Sequence, residues 1–220
     1  MRYNIAIDGP AGAGKSTIAK RLAKELGAIY VDTGAMYRAM AYYFIQKGVD
    51  KDDIDTITKL CKDVEVSISY ENGEQQVILN GENITGFIRQ EAVGNMASAT
   101  SVYPVVREKL VELQRQLAAR ENVVMDGRDI GTVVLPDANV KIFLTASSKV
   151  RAKRRFDELT AKSEKCDIDA IEKDIIERDH RDMTRETSPL KQADDAVLLD
   201  SSDMTIDEVV DRMKQLVKEA

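Results

Sequence analysis

Short apolar runs alternate with longer stretches of helical spacing along most of this chain of 220 residues. Residues 3–7 read as a short buried strand, followed by a glycine-rich turn. In residues 16–26, Ile18, Leu22, Ala23 and Leu26 recur at helical intervals, and Gly27 stops the run. Residues 28–31 predict a second strand, 35–46 a second helix closed by Gly48, and 54–61 a third helix. Strand–loop–helix repetition of this kind predicts an α/β domain with a mostly parallel sheet.

The period then changes from helical to two. Val64, Val66, Ile68 and Tyr70 alternate with polar residues, and Asn72-Gly73 and Asn80-Gly81 are tight-turn signals on either side of residues 76–79. Residues 64 to about 88 therefore predict a small antiparallel insert. Helical patterning resumes at Gln90, and Pro104 suits the first turn of a helix that runs to about Arg120. Residues 122–125 and 140–144 have the apolar character of central parallel strands. Residues 149–162 and 168–183 are charged amphipathic helices, 196–199 the last strand, and Thr205 with Glu208 has the spacing of a capping box.

Composition excludes several classes of function. The net charge is -6 at pH 7, so there is no general attraction to nucleic acid or to an anionic membrane. The one histidine, His180, and the two cysteines, Cys61 and Cys166, cannot build a His/Cys zinc site, and no Cys-x-x-Cys pair exists. Two separated cysteines suit a reducing compartment. With no apolar run of membrane-spanning length and too short an apolar start for a leader, the expectation is a cytoplasmic chain with no membrane and no nucleic-acid partner.

The chemistry begins at Gly9-Pro10-Ala11-Gly12-Ala13-Gly14-Lys15-Ser16, which matches G-x-x-x-x-G-K-[ST] between a predicted strand and a predicted helix. Such a loop wraps its N–H groups around phosphate oxygens, and the helix that follows adds its positive end. Lys15 would reach the β- and γ-phosphates, and the Ser16 hydroxyl would ligate magnesium. A GTPase switch is excluded: none of the twelve glycines has Asp three residues before it, and no asparagine precedes a lysine. A phosphotransferase remains, with a partner-driving ATPase as the alternative.

Six of the fifteen arginines, Arg151, Arg154, Arg155, Arg178, Arg181 and Arg185, fall between residues 151 and 185. Arg178, Arg181 and Arg185 would share one face of a continuous helix with Asp182. That face suits a clamp on phosphate oxygens, or equally a solvated surface with Glu177, Asp179 and Glu186 interleaved. A kinase needs such cations, because two like charges at 4 Å cost about 4 kcal/mol at an effective dielectric near 20. Asp126, closing an apolar strand, and Asp32 have comparable claims to hold magnesium through water.

Beyond the phosphate loop stand Asp32-Thr33-Gly34-Ala35-Met36-Tyr37-Arg38, Asp126-Gly127-Arg128-Asp129-Ile130-Gly131-Thr132 and Arg178-Asp179-His180-Arg181-Asp182. With these blocks in this order the chain resembles, end to end, the bacterial cytidylate kinases. The resemblance implies the P-loop nucleoside monophosphate kinase fold, a five-stranded parallel sheet flanked by helices with a small antiparallel β insert and a lid. It implies one domain, with the core at 1–63, 89–150 and 187–220, the insert at 64–88 and the lid at 151–186. It also implies the reaction of ATP with CMP or dCMP, with Mg2+, in a chain that needs to be no more than a monomer.

By motif position, the resemblance implies that Gly9, Pro10, Ala11, Gly12, Ala13, Gly14, Lys15, Ser16 and Thr17 bind ATP. Arg154 is the lid arginine expected at ATP. Arg38 and Thr33 are expected at the acceptor phosphate, and Ser98, Arg107 and Asp129 at cytosine. Arg128 would bridge the phosphates, while Arg178, Asp182 and Arg185 would contact the acceptor. Lys15, Arg128, Arg178 and Arg185 form the expected catalytic set. Cytosine presents an N4 donor and N3 and O2 acceptors, so a carboxylate and an arginine can distinguish it from uracil.

Overall fold

The computed structural model describes residues 3–163 and 165–219. The chain forms two compact units, Met1–Tyr30 with Asn122–Ala220, and Val31–Glu121.

In the first unit, β1 (Asn4–Asp8) lies at the centre of a five-stranded sheet ordered β2-β6-β1-β7-β8, with β2 at Ile29–Asp32, β6 at Val123–Gly127, β7 at Val140–Thr145 and β8 at Val197–Asp200. β1 pairs in parallel with β6 and with β7, and Asp8 stands opposite Gly127 on one side and Phe143 on the other. Four of its five residues are buried, as befits a parallel strand covered on both faces. Helix α1 (Lys15–Leu26) packs Ile18, Leu22 and Ala23 against Ile5, Ile7, Val124 and Ile142 of the sheet, and the C-terminal helix at Ile206–Glu219 adds Val209, Val210 and Met213 to the same core. That last helix opens with the expected reciprocal cap. The Glu208 N–H donates to Thr205 Oγ1 at 3.3 Å, and the Thr205 N–H to Glu208 Oε2 at 2.8 Å.

The second unit holds α2 (Thr33–Gln46), α3 (Ile54–Asp63), the antiparallel strands β3 (Val66–Glu71), β4 (Glu74–Leu79) and β5 (Glu82–Asn83), α4 (Glu91–Thr100) and α5 (Pro104–Arg120). Both Asn-Gly turns take the left-handed conformation at both residues, as their chemistry predicts. The first strand begins at Val66, later than the alternation predicts, because Val64 caps α3. Helix α2 packs against α4, α5 and the small sheet.

Two features near the ends of these elements position the site. Ile130–Val134 forms a single wide π-type turn, for which its apolar run carries neither a helical nor a strand period. The helix over Ile168–Thr184, α7, stops before Arg185, whose backbone is extended, so the three arginines do not share one helical face. Leu190 is buried and its N–H donates to Asp182 O at 2.7 Å, and this tie turns the chain back on the helix end. The helix over Ser148–Ala161 is α6 and the C-terminal helix α8.

Candidate active site

The phosphate loop leaves the carboxyl end of β1, the edge of a parallel sheet where ligands bind. Its conformation is fixed by glycine at Gly9: a Cβ there would lie 1.9 Å from the Leu144 carbonyl oxygen of β7. Gly14 precedes α1 in the left-handed region and contributes no side-chain cap, so the helix presents its first N–H groups uncapped by a side chain. Lys15 is buried and its ammonium donates to the Pro10 carbonyl at 2.8 Å. Burial, and then the guanidinium of Arg128, bring its pKa down to about 7 against the opposing pull of Asp126, Asp8 and Asp182. The lysine thus sits among four charged side chains that the sequence scatters over 174 positions.

Ser16 follows on the first turn and donates to Asp126 Oδ2 at 3.0 Å, while the Tyr30 hydroxyl donates to Asp126 Oδ1 at 3.0 Å. A hydroxyl and a carboxylate paired this way are the hard-oxygen donors that Mg2+ takes beside phosphate. Among the described residues, no group of three or more His, Cys, Asp or Glu side chains could hold a metal ion. The Ser16 hydroxyl and the Asp126 carboxylate are oxygen donors of the kind that fit a hard divalent cation. Asp32, the other candidate, has its carboxylate engaged elsewhere. Its Oδ1 accepts the Ala35 N–H at 2.9 Å as the cap of α2, and its Oδ2 takes Arg89 Nη2 at 2.7 Å.

A second cluster of the first unit centres on Asp182. Arg128 donates through Nε to Asp182 Oδ2 at 2.9 Å, and Arg185 Nη1 stands 3.8 Å from Asp182 Oδ1. Burial alone would raise the Asp182 pKa, but Arg128, Arg178 and Arg185 together hold it below its ordinary value. Arg185 reaches the cluster from beyond the helix end, braced by its Nε donating to Ser188 O at 2.8 Å. Arg181 points to solvent, as does His180, whereas Arg178 is half-buried. Asp179, one of the acids of a possible solvated face, is instead buried against Arg151.

The arginine at the phosphate loop is Arg151. Its Nη1 donates to Ala11 O at 2.9 Å, its Nε to Ala146 O at 2.8 Å, and its Nη2 pairs with Asp179 Oδ2 at 2.7 Å. Arg154, expected at ATP, directs its donors to Ser201, Nη2 to the carbonyl at 2.7 Å. Arg155 is exposed and pairs with Glu158. Thr17 is exposed on the first turn of α1, and Asp129 is buried at the start of the wide turn.

In the second unit, Thr33 is buried at the first position of α2, directly after its cap Asp32. Arg38 lies one turn further on, close enough that a Cβ on Gly34 would stand 3.4 Å from its Nη1. Arg107 is buried in the first turn of α5, where it donates to Ser101 O at 3.0 Å and lies over the Tyr37 ring at 5.3 Å. Ser98 is half-buried on α4.

The sequence reading missed Tyr30, which carries no motif, and Asp8, although its place immediately before Gly9 was a visible signal. It also missed Gln75 and Arg89, whose contacts with Asp32 are tertiary.

The chain matches the family model described as cytidylate kinase over residues 5–219. It is 49% identical over 215 residues to the cytidylate kinase of Caldicellulosiruptor saccharolyticus, covering 98% of this chain and 95% of the relative. It is also 49% identical over 221 residues to that of Geobacillus sp. strain WCH70, with 100% and 99% covered. Two solved structures share the fold at low identity. One is an uncharacterized protein from Eubacterium ventriosum ATCC 27560, with a TM-score of 0.57 and 12% identity over the whole of both chains. The other is a gluconokinase from Sinorhizobium meliloti 1021, with a TM-score of 0.52 and 15% identity over 100% of this chain and 95% of that one.

Proposed function

The chain belongs to the cytidylate kinase family and moves the γ-phosphate of ATP to CMP or dCMP, giving ADP and CDP or dCDP; we propose that its own residues divide that work as follows. The observation that carries the proposal is the gathering of Lys15, Ser16, Asp126, Arg128 and Asp182 at the carboxyl end of one parallel sheet.

On the donor side, the loop from Gly9 to Gly14 and the first turn of α1, with Lys15, Ser16 and Thr17, bind the ATP phosphates. Ser16 and Asp126 would hold Mg2+, which when bound supplies positive charge to the β- and γ-phosphate oxygens. Arg154 is proposed to approach the adenine end of ATP, near its anchor on Ser201.

On the acceptor side, Thr33 and Arg38 hold the CMP phosphate. Ser98, Arg107 and Asp129 read cytosine, with Asp129 accepting from N4 and Arg107 donating to N3 or O2. Arg178 and Asp182 hold the sugar and phosphate, with Arg185 beside them. In the transfer itself, an acceptor phosphate oxygen forms a bond to the γ-phosphorus. The bond to the β-phosphate bridging oxygen breaks, and its electron pair leaves with ADP. Lys15, Arg128, Arg178 and Arg185 neutralise the charge spread over the transferring group. The attacking oxygen is already ionised, so no general base is required, in keeping with an exposed His180.

Among the described residues no helix is long and apolar enough to cross a membrane. The free thiols Cys61 and Cys166 support work in the reducing cytoplasm, and the charge of -6 supports small-molecule substrates rather than nucleic acid. The motifs assign every role within this one sequence, so the reading needs no more than a monomer.

The test is ADP formation from ATP and magnesium with CMP, dCMP, UMP, AMP or no acceptor, for the natural chain and for Asp129→Ala. Fast turnover with CMP and dCMP, slow turnover with UMP, and a narrowed gap in the variant are expected. Equal turnover in all wells, or turnover without acceptor, would overturn the assignment.

A further inference from the structure

Asp8 ends β1 immediately before Gly9, and none of the roles above uses its carboxylate. The residue is 5% exposed. Its Oδ1 accepts the Ile130 N–H at 2.8 Å and its Oδ2 accepts the Gly131 N–H at 2.7 Å. These consecutive amides follow directly on Arg128 and Asp129. The turn lies close to Asp8 and to the Lys141 chain: a Cβ on Gly131 would stand 3.4 Å from Asp8 Oδ2 and 3.2 Å from Lys141 Cδ.

Keeping a carboxylate here is costly. Burial pushes the Asp8 pKa up to about 6, with the charge of Asp129 adding to the rise and the two N–H groups and Lys15 opposing it. An apolar residue at the end of this strand would avoid that cost but leave the Ile130 and Gly131 amides without these acceptors, so what the acid adds is a fixed tie between the strand and the turn. The Asp8 backbone is held on both sides by β6 and β7. Its short side chain, which has only two rotatable bonds, therefore ties the turn to the central strand of the sheet, one residue from the phosphate loop.

We infer that Asp8 is a positioning residue for the transfer: through the Ile130 and Gly131 amides it sets where Arg128 and Asp129 stand relative to the phosphate loop. The inference rests on the proposed reading of cytosine by Asp129. Two groups of the reaction, one of them choosing the acceptor base, thus take their place from a residue that touches neither substrate.

The experiment compares the natural chain with Asp8→Asn, Asp129→Ala and the double variant, using CMP and UMP as acceptors. Asparagine keeps the size but turns one NH2 toward a backbone N–H. In Asp8→Asn, kcat/KM for CMP should fall tenfold or more, the CMP-over-UMP preference should narrow several-fold, and KM for ATP should stay within about twofold. Amide hydrogen exchange at Ile130 and Gly131 should speed up at least tenfold. In the double variant the preference should narrow no further than in Asp129→Ala, because both changes act through one group.

An unchanged preference in Asp129→Ala would overturn the base-reading assignment and this role of Asp8 with it. A narrowed preference in Asp129→Ala with none in Asp8→Asn would overturn the inference alone, as would an equal rise in KM for ATP and CMP. Should Asp8→Asn fail to fold, Asp8→Ala removes both acceptors without turning an NH2 toward the turn and is read by the same ratios.

Discussion

Arg151 and Asp179 form a buried ion pair between α6 and α7, Nη2 to Oδ2 at 2.7 Å, with both residues less than a tenth exposed. The other two donors of the guanidinium go to the carbonyls of Ala146 and of Ala11 in the phosphate loop. One buried side chain thus joins the loop, the end of β7 and α7. Removing one partner of such a pair costs about 3–5 kcal/mol, because the remaining charge is left buried. Arg151→Met should therefore lower Tm by roughly 6–20 °C for a chain of this size. KM for ATP should rise well above that of Arg155→Met, an exposed control. A Tm drop of a degree or less by scanning calorimetry would show that the pair contributes little.

Gln75, on β4, is bonded to the backbone of Asp32 at both of its amide atoms. The Asp32 N–H donates to its Oε1 at 2.8 Å, and its Nε2 donates to Asp32 O at 3.2 Å. The small sheet thereby braces the residue that caps α2 directly before Thr33. Gln75→Glu replaces a donor with a second acceptor facing the Asp32 carbonyl, an unfavourable contact of about 1–3 kcal/mol. KM for CMP should rise about 5- to 150-fold while KM for ATP stays near its natural value. Steady-state kinetics with each substrate varied in turn will decide, and a proportional rise in both would count against the brace.

The depressed Lys15 has a signature in pH. Its pKa near 7 lies below the ordinary value, so between about pH 7 and 10 the folded chain binds fewer protons than the unfolded one. The sign follows: the buried ammonium is a destabilising contribution below pH 7, relieved as pH rises through that window. Phosphates brought against Lys15 pull its pKa back up, so ATP binding at pH 8 should take up a fraction of a proton. Titration calorimetry in two buffers of different ionisation enthalpy measures it directly. Lys15→Arg, which cannot lose its proton in this range, should abolish the uptake, and identical heats for the natural chain in both buffers would contradict the prediction.

Asp126 accepts from Ser16 and from Tyr30 with its two oxygens. Asp126→Asn keeps the size while losing the charge. The magnesium concentration for half-maximal rate should rise about tenfold or more, about 1.4 kcal/mol of lost ion binding. KM for CMP should barely move. Asp32→Asn should show the opposite pattern, because that carboxylate caps α2 and pairs with Arg89.

The phosphate loop was legible in the sequence itself, since Gly9-Pro10-Ala11-Gly12-Ala13-Gly14-Lys15-Ser16 encodes a local conformation and its ligand together. So were most of the strands and helices, the two Asn-Gly turns and the Thr205–Glu208 cap, all set by neighbours a few positions apart. In the arginine-rich segment the spacing predicts a helix over 168–183, and a face shared with Arg185 only if that helix continues. It ends at Thr184, and the Arg185 side chain returns to Asp182 from an extended backbone. Spacing also could not tell which lid arginine meets the loop, because Arg151, Arg154 and Arg155 differ only in which carbonyls and acids their packing presents.

By itself, then, the sequence determined the α/β class, the phosphate loop and the family, because each is written in contiguous residues whose propensities act locally. Tertiary structure alone decided that Ser16 donates to Asp126, 110 positions away, and that Asp8 accepts from a turn 122 positions away. It also decided that the acid beside Arg151 is buried. The physical reason is common to all three. Burial and the partner of a charge depend on how distant segments pack, and local spacing along the chain carries no record of either.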